Sequence, residues 1–225
     1  MSADSSQPVF ESTCLIFAGW LLATLNPGVV EAIKRPKRRR ELLHAFAIEL
    51  RELRYKAVLV FWHQRSGTGS LDQHSLDIVK TLVFDHPVAD GAPSIAENLK
   101  QALNVGEEKY IAIMNAKGAA ENLGAWPALY HLPFLSSHAA DFVLFTPQSQ
   151  AHLMRVLEEL DLFNNQVEFV RELNNKTFTL TGQNHGINSG NLAKAQRRLA
   201  DRAEALVRAI SRIVDPRGNT LTGFK

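Results

Sequence analysis

The side chains best suited to acid–base or metal chemistry in this chain are its eight histidines: His44, His63, His74, His86, His131, His138, His152 and His185. A metal site needs three or four ligands at characteristic spacings, and neither H-E-x-x-H nor C-x-x-C occurs. The nearest pairings are His138 with Asp141, three residues on, and His131 with His138, seven residues on. Two ligands on one helical face make only half a site, so no metal is expected. Nucleophilic catalysis finds no better footing. There is no G-x-S-x-G turn, and the single cysteine, Cys14, sits in an apolar run away from any partner base. The glycine-rich stretch Ser66 to Ser70 (SGTGS) lacks the following Lys-Ser/Thr of a phosphate loop and follows a helical pattern rather than a strand.

The stretch with most chemical potential is GQNHGINSG, where Asn184, His185 and Asn188 precede the last helical pattern. Free backbone amides at a helix start favour an anion, so these three residues form a candidate ligand loop. The alternative is a soluble helical protein, either an enzyme using the 174–190 loop with His138, His152 or His185, or a nucleic-acid-associated protein in which Thr13–Ile33 is core. No cofactor motif is present, and binding rather than catalysis is the expectation.

The strongest charge signal is a block of six bases: Lys34, Arg35, Lys37, Arg38, Arg39 and Arg40. The chain carries 25 Lys and Arg against 23 acids, and without this block 19 bases remain. The rest is therefore mildly acidic, which argues against a general nucleic-acid binder, whose basic charge spreads over a face. Upstream, Thr13 to Val30 is eighteen residues without a formal charge. As a helix it would span roughly 27 Å, close to a bilayer's hydrocarbon core. Bases that follow an apolar run stay on the cytoplasmic side. The expectation is a transmembrane anchor over 13–33, single-pass in the inner membrane, with the N-terminus outside and the bulk of the chain cytoplasmic. The six bases would then sit against anionic lipid headgroups, each contributing about 1 kcal/mol. Asn26-Pro27-Gly28 interrupts the run, and a helix buried in a core or lying in the membrane plane are the alternatives. The lone cysteine excludes an internal disulfide and fits a reducing compartment.

Downstream, the periodicity is helical. Leu43, Phe46, Leu50, Leu53, Ala57 and Val60 step by 3, 4, 3, 4, 3 within Glu41 to Gln64. Leu71 to Phe84 is a second unit with Leu71, Ile78, Leu82 and Val83 as its apolar members. Asp85 to Pro93 is a breaker, and Ser94 with Glu97 matches a capping box. A helix is expected to Leu103, resuming over Glu107 to Ala116, with 117–133 a bent connection. Thr146-Pro147 is a start signal, a capping hydroxyl before a proline at the first helical position. It opens the helix bearing Leu153, Val156, Leu160, Phe163, Val167 and Val170. The final helix, capped by Asn188 or Ser189, carries Leu192, Ala195, Leu199, Leu206, Ala209 or Ile210, and Ile213 inward. Its bases, Lys194 to Arg212, read as a solvated face.

The layout GWLLATLNPGVVEAIKRPKRRRELL, then IELRELRYKAVLV, then LPFLSSHAADFVLFTPQSQAHLMRVLEELDLFNNQVE resembles a set of uncharacterised bacterial single-pass membrane proteins with a cytoplasmic helical bundle. The resemblance covers about a third of the chain and implies topology and fold, with no activity and no catalytic residue. The sequence thus predicts an all-α protein: an N-terminal transmembrane helix followed by an antiparallel helical bundle. Its expected divisions are a disordered tail over 1–12, the anchor over 13–33, a juxtamembrane stretch over 34–40, the bundle over 41–215 and a tail over 216–225. The expected role is binding, as scaffold, sensor or subunit, with a membrane surface and a protein partner or second copy. Nucleic acid is not expected as a partner.

Overall fold

The computed structural model describes the backbone at residues 7–84, 100, 103–121 and 127–214, and side chains at 34–80, 100, 103–117 and 127–214. The chain is an all-α helical bundle, and no strand occurs among the described residues. Its elements are α1 (Gln7–Gly67), α2 (Gln73–Phe84), α3 (Glu107–Glu121), α4 (Pro133–Ser137), a 3-10 turn (Ala139–Leu144), α5 (Pro147–Thr177) and α6 (Gly182–Ser211). The breaker Asp85 to Pro93 and the Ser94–Glu97 box lie outside the described residues, as do 215–225. Two compact units divide the chain, Met1–Leu43 and His44–Lys225.

The first unit is helical from Gln7 onward, inside the stretch expected to be a tail. Among the described residues, no helix is long and apolar enough to cross a membrane. The transmembrane anchor over 13–33 is therefore withdrawn, and with it the inner-membrane, single-pass placement. The apolar run does not end as a span of its own. It is one part of a 61-residue helix that continues through Lys34 to Arg40 and on to Gly67. The side chains of 13–33 lie outside the described residues. Lys34, Arg35, Lys37, Arg38 and Arg40 are exposed and Arg39 is half-buried. Contiguous bases on a helix circle its axis at 100° per residue, so they present no single basic face.

The second unit is built on the stripes. In α5, Leu153, Val156, Leu160, Phe163, Val167 and Val170 are all buried. Thr146 caps its start, its Oγ1 accepting from the Ser149 amide at 3.3 Å, with Pro147 at the first position. Leu192, Gln196, Leu199, Ala203, Leu206 and Ile210 make the matching buried seam of α6, and Ile213 is buried just past its end. The two helices run antiparallel, and three polar links fix their register. Asn188 Nδ2 donates to Leu173 O at 2.8 Å, Gln166 Nε2 donates to Ala195 O at 3.0 Å, and Arg202 lies 4.0 Å from Glu159. Each link is seven residues from the next on both helices, which is the repeat of a left-handed coiled-coil seam.

The remaining elements pack by specific contacts. Phe46 of α1 is fully buried, with ring centroids of Phe134, Phe142 and Phe145 at 5.6, 5.9 and 6.0 Å. Trp62 stacks on Tyr110 of α3 at 5.9 Å. Glu204 of α6 is a buried carboxylate that gathers three partners: His74 at 2.9 Å, Arg65 at 3.9 Å, and Arg208 in a short ion pair. This one residue ties α1, α2 and α6 together. In α2 the inward residues are Leu76 and Val79, whereas Ile78, expected inward, is half-buried. Asp72 caps that helix, its Oδ1 accepting from the Ser75 amide at 2.8 Å and the Ser75 hydroxyl at 2.6 Å.

Asp72 gives a pH signature. Partial burial raises its pKa, but the two Ser75 hydrogen bonds, with Arg65 and His74 nearby, bring it below the ordinary 3.8. A carboxylate with a depressed folded pKa stabilises the fold above its unfolded pKa and loses that contribution as pH falls through the folded value. Asp72→Ala is expected to cost about 1 kcal/mol at pH 7, as for other helix caps. The gap between variant and parent should close as pH drops below about 4, read by urea unfolding at several pH values. A gap of constant size across that range contradicts the capping role.

Candidate functional site

Helix α5 is long enough that its two sides do different work. The stripe from Leu153 to Val170 faces inward, and residues Met154, Glu158, Asp161, Leu162, Asn165, Glu168, Phe169 and Glu172 lie on the opposite side at 100° per residue. All eight are exposed. Three of them are large apolar side chains, with Met154 47 %, Leu162 40 % and Phe169 43 % exposed, spaced eight and seven residues apart. Four are acids. Glu158 pairs with Arg155 at 3.4 Å and Glu172 with Lys176 at 2.6 Å. Asp161 and Glu168, one heptad apart, have no ion pair among the described residues. The face is thus an apolar strip edged with negative charge.

The buried acid on the same helix shows the contrast. Glu159, side chain 4 % exposed, is held by Arg155 in a short ion pair and by Arg202 from α6. A carboxylate taken out of water must be paired, and this one draws in two arginines. Asp161 and Glu168 remain in water and need no such pairing.

The candidate loop 174–190 takes a different form. Helix α5 continues through Thr177, residues 178–181 make the turn, and α6 begins at Gly182. Gly182 has φ 61°, the left-handed region where a residue without a Cβ is favoured. Asn184 and His185 stand exposed in the first turn of α6, and Ser189 Oγ donates to the His185 carbonyl at 2.9 Å. Asn188 is buried instead, its Nδ2 donating to Leu173 O and to Thr177 Oγ1, each at 2.8 Å. The three residues are therefore split: Asn188 fastens the helix pair from within, while Asn184 and His185 face solvent. The polybasic block Lys34 to Arg40 belongs to the other unit, and its lipid role loses its premise with the anchor.

The histidines are scattered. His63 Nδ1 donates to Leu59 O at 2.7 Å, His138 Nδ1 to Phe134 O at 2.9 Å, and His74 joins the Glu204 cluster. His131 is exposed and His152 half-buried. His86 lies outside the described residues. Among the described residues, no group of three or more His, Cys, Asp or Glu side chains could hold a metal ion.

The outer strip of α5 escaped the sequence reading because Met154, Leu162 and Phe169 break no rule: single exposed apolar residues are common. The available signal was a second apolar series on the side opposite the buried one, flanked by acids. No family model, no curated protein and no solved structure matches the chain. Its function is therefore argued from its own side chains.

The split within the candidate loop is testable. Asn188→Ala removes two hydrogen bonds inside the bundle, to the Leu173 carbonyl and to Thr177 Oγ1, and is expected to cost about 1–3 kcal/mol. His185→Ala and Asn184→Ala should stay within about 0.5 kcal/mol, as surface changes do. Equal losses for all three in denaturant titrations would contradict this division.

Proposed function

We propose that this chain is a helical binding protein that recognises a basic, amphipathic segment of a protein partner through the outer face of α5. The observation that carries the reading is the strip of exposed Met154, Leu162 and Phe169 edged by Asp161 and Glu168 on one rigid helix. Apolar side chains at helical spacing are the complement of an amphipathic partner helix, and Met is a side chain that adapts to varied contacts. Unpaired carboxylates beside them steer a cationic partner and disfavour an acidic one. The inner face of the same helix is fully engaged in the seam with α6, so the strip rests on a stiff support, as a recognition element requires.

The test uses the full chain and a fluorescent helical peptide of Leu and Lys, with a Leu and Glu peptide as control. Binding of the Lys peptide is expected, weakening as salt rises because exposed charges are screened. The double reversal Asp161→Lys with Glu168→Lys should reduce affinity about ten-fold or more, since like charges then oppose. Met154→Ser with Phe169→Ser should weaken binding while leaving its salt dependence intact. Glu108→Lys, an exposed acid on α3, should change little. Equal loss from Glu108→Lys, or equal binding of both peptides, overturns the reading.

A further inference from the structure

A second feature of the larger unit stands apart from the outer face of α5. Glu49, Glu52, Leu53 and Lys56 of α1 and the extended segment Leu129 to Pro133 enclose a cleft of about 310 Å³. That is the lower end of the range for small-ligand pockets. Its walls are set by unusually specific bonds. Asn164 of α5 holds the backbone of Tyr130 from both sides, its Oδ1 accepting from Tyr130 N at 3.0 Å and its Nδ2 donating to Tyr130 O at 2.8 Å. Arg171 donates to Pro127 O at 2.9 Å. Across the cleft, the two oxygens of Glu49 accept the amides of Phe134 and Leu135 at 3.0 and 2.8 Å. The cleft is thus braced by side chains on both α1 and α5.

One position in it is already used by a cation. Tyr130 stacks on the buried ring of Phe163 at 5.7 Å, which covers one face. The Lys56 ammonium lies over the ring of Tyr130, 5.9 Å from its centroid, and pairs with Glu52 at 2.6 Å. An ammonium between an aromatic face and a carboxylate is a standard recognition arrangement for cations. Here the chain's own lysine supplies it, and that lysine is held loosely, with 45 % of its side chain exposed. Charge agrees: Glu49 and Glu52 contribute two negative charges against the one positive charge of Lys56, with His131 exposed at the rim. Leu53, Leu132 and Pro133 supply apolar wall beside this position.

We propose that the cleft is a cation subsite that takes a primary ammonium on an apolar stem, and that Lys56 is its resident competitor. An incoming ammonium displaces Lys56 into solvent and takes its place between Glu52 and Tyr130. The proposal does not rest on the outer face of α5. The stem has two possible sources, a free amine or a lysine side chain of a peptide, and both share the recognised group.

Isothermal titration of the full chain with tryptamine and, separately, with Nα-acetyl-lysine methylamide distinguishes these sources. Indole-3-propionate serves as the anionic control. Lys56→Ala removes the competitor and is expected to tighten binding of the preferred amine by about five-fold. Glu52→Gln should weaken it by about ten-fold. Tyr130→Leu should also weaken it, with circular dichroism checking the fold, and Glu52→Gln keeps the test decisive if that variant unfolds. Asp161→Lys with Glu168→Lys should leave amine affinity within about two-fold, which separates this site from the α5 face. Weaker amine binding on Lys56→Ala, or preference for indole-3-propionate, would make Lys56 the ligand-binding group and overturn the proposal. Failure of both amines to bind Lys56→Ala also overturns it.

Discussion

The antiparallel seam between α5 and α6 is the constraint on which the rest of the larger unit depends. Neither helix would be secure alone in water, because helix formation without tertiary contact is marginal even at favourable composition. Burial of Leu153, Leu160 and Val167 against the Leu199 and Leu206 side supplies the missing stability, at about 25 cal/mol for each Å² of apolar surface removed from water. Apolar contact alone leaves register soft. Asn188 to Leu173, Gln166 to Ala195 and Arg202 to Glu159 harden it, since sliding either helix by one turn would strand all three polar groups. The four-residue turn 178–181 follows from that register. With Asn188 opposite Leu173, little chain remains to reverse direction, and Gly182 absorbs the left-handed step.

Once the seam is fixed, the non-helical segments are held to it by side-chain amides. An extended residue exposes one amide and one carbonyl with no helix or sheet to satisfy them. Asn164 answers both groups of Tyr130, and Asn115 answers both groups of Leu71, accepting at 2.8 Å and donating at 2.9 Å. An asparagine amide has the donor and acceptor for this in one planar group. These clamps shape the proposed cleft because the segment 127–133 has no secondary structure of its own before Pro133. Its position over α1 is inherited from α5 through Asn164 and Arg171 and from α1 through Glu49.

This division explains which parts of the fold were legible in the sequence. The stripes of α1 and α5 were readable because a 3, 4, 3, 4 pattern reflects burial on one side of a helix, and those residues are buried except Leu43, which is half-buried. Thr146-Pro147 was readable because capping is local chemistry. The stretch 182–190 was not. Its glycines and asparagines favour turns as isolated residues, but Asn188 gains two hydrogen bonds only if the backbone is already helical, so tertiary context overrides local preference. Ile78 was misassigned for a related reason: α2 turns Leu76 and Val79 inward because Leu71, Asn115 and Glu204 fix its rotation, and none of those contacts is local. The apolar run 13–33 misled because length and hydropathy describe a span in isolation, whereas it forms one part of α1. The Glu204–His74 contact and the clamps by Asn115 and Asn164 join residues 34 to 130 positions apart, which no periodicity can show.

Electrostatics connects the core to the two surfaces proposed for recognition. The larger unit places acids in its interior, and each must be compensated there. Glu204 draws on Arg65, His74 and Arg208, and Glu159 on Arg155 and Arg202. Arginine suits this work because its planar fork can serve more than one acceptor and it never loses its charge. Four arginines thereby serve buried carboxylates, although Arg65 also pairs with Asp201 at 2.8 Å and Arg155 with Glu158, so only part of their charge offsets acids at the surface. Asp161 and Glu168 on α5, and the Glu49–Glu52 side of the cleft, carry the imbalance on the outside. The same helix α5 therefore explains both an interior that is charge-balanced and an outer face that is not.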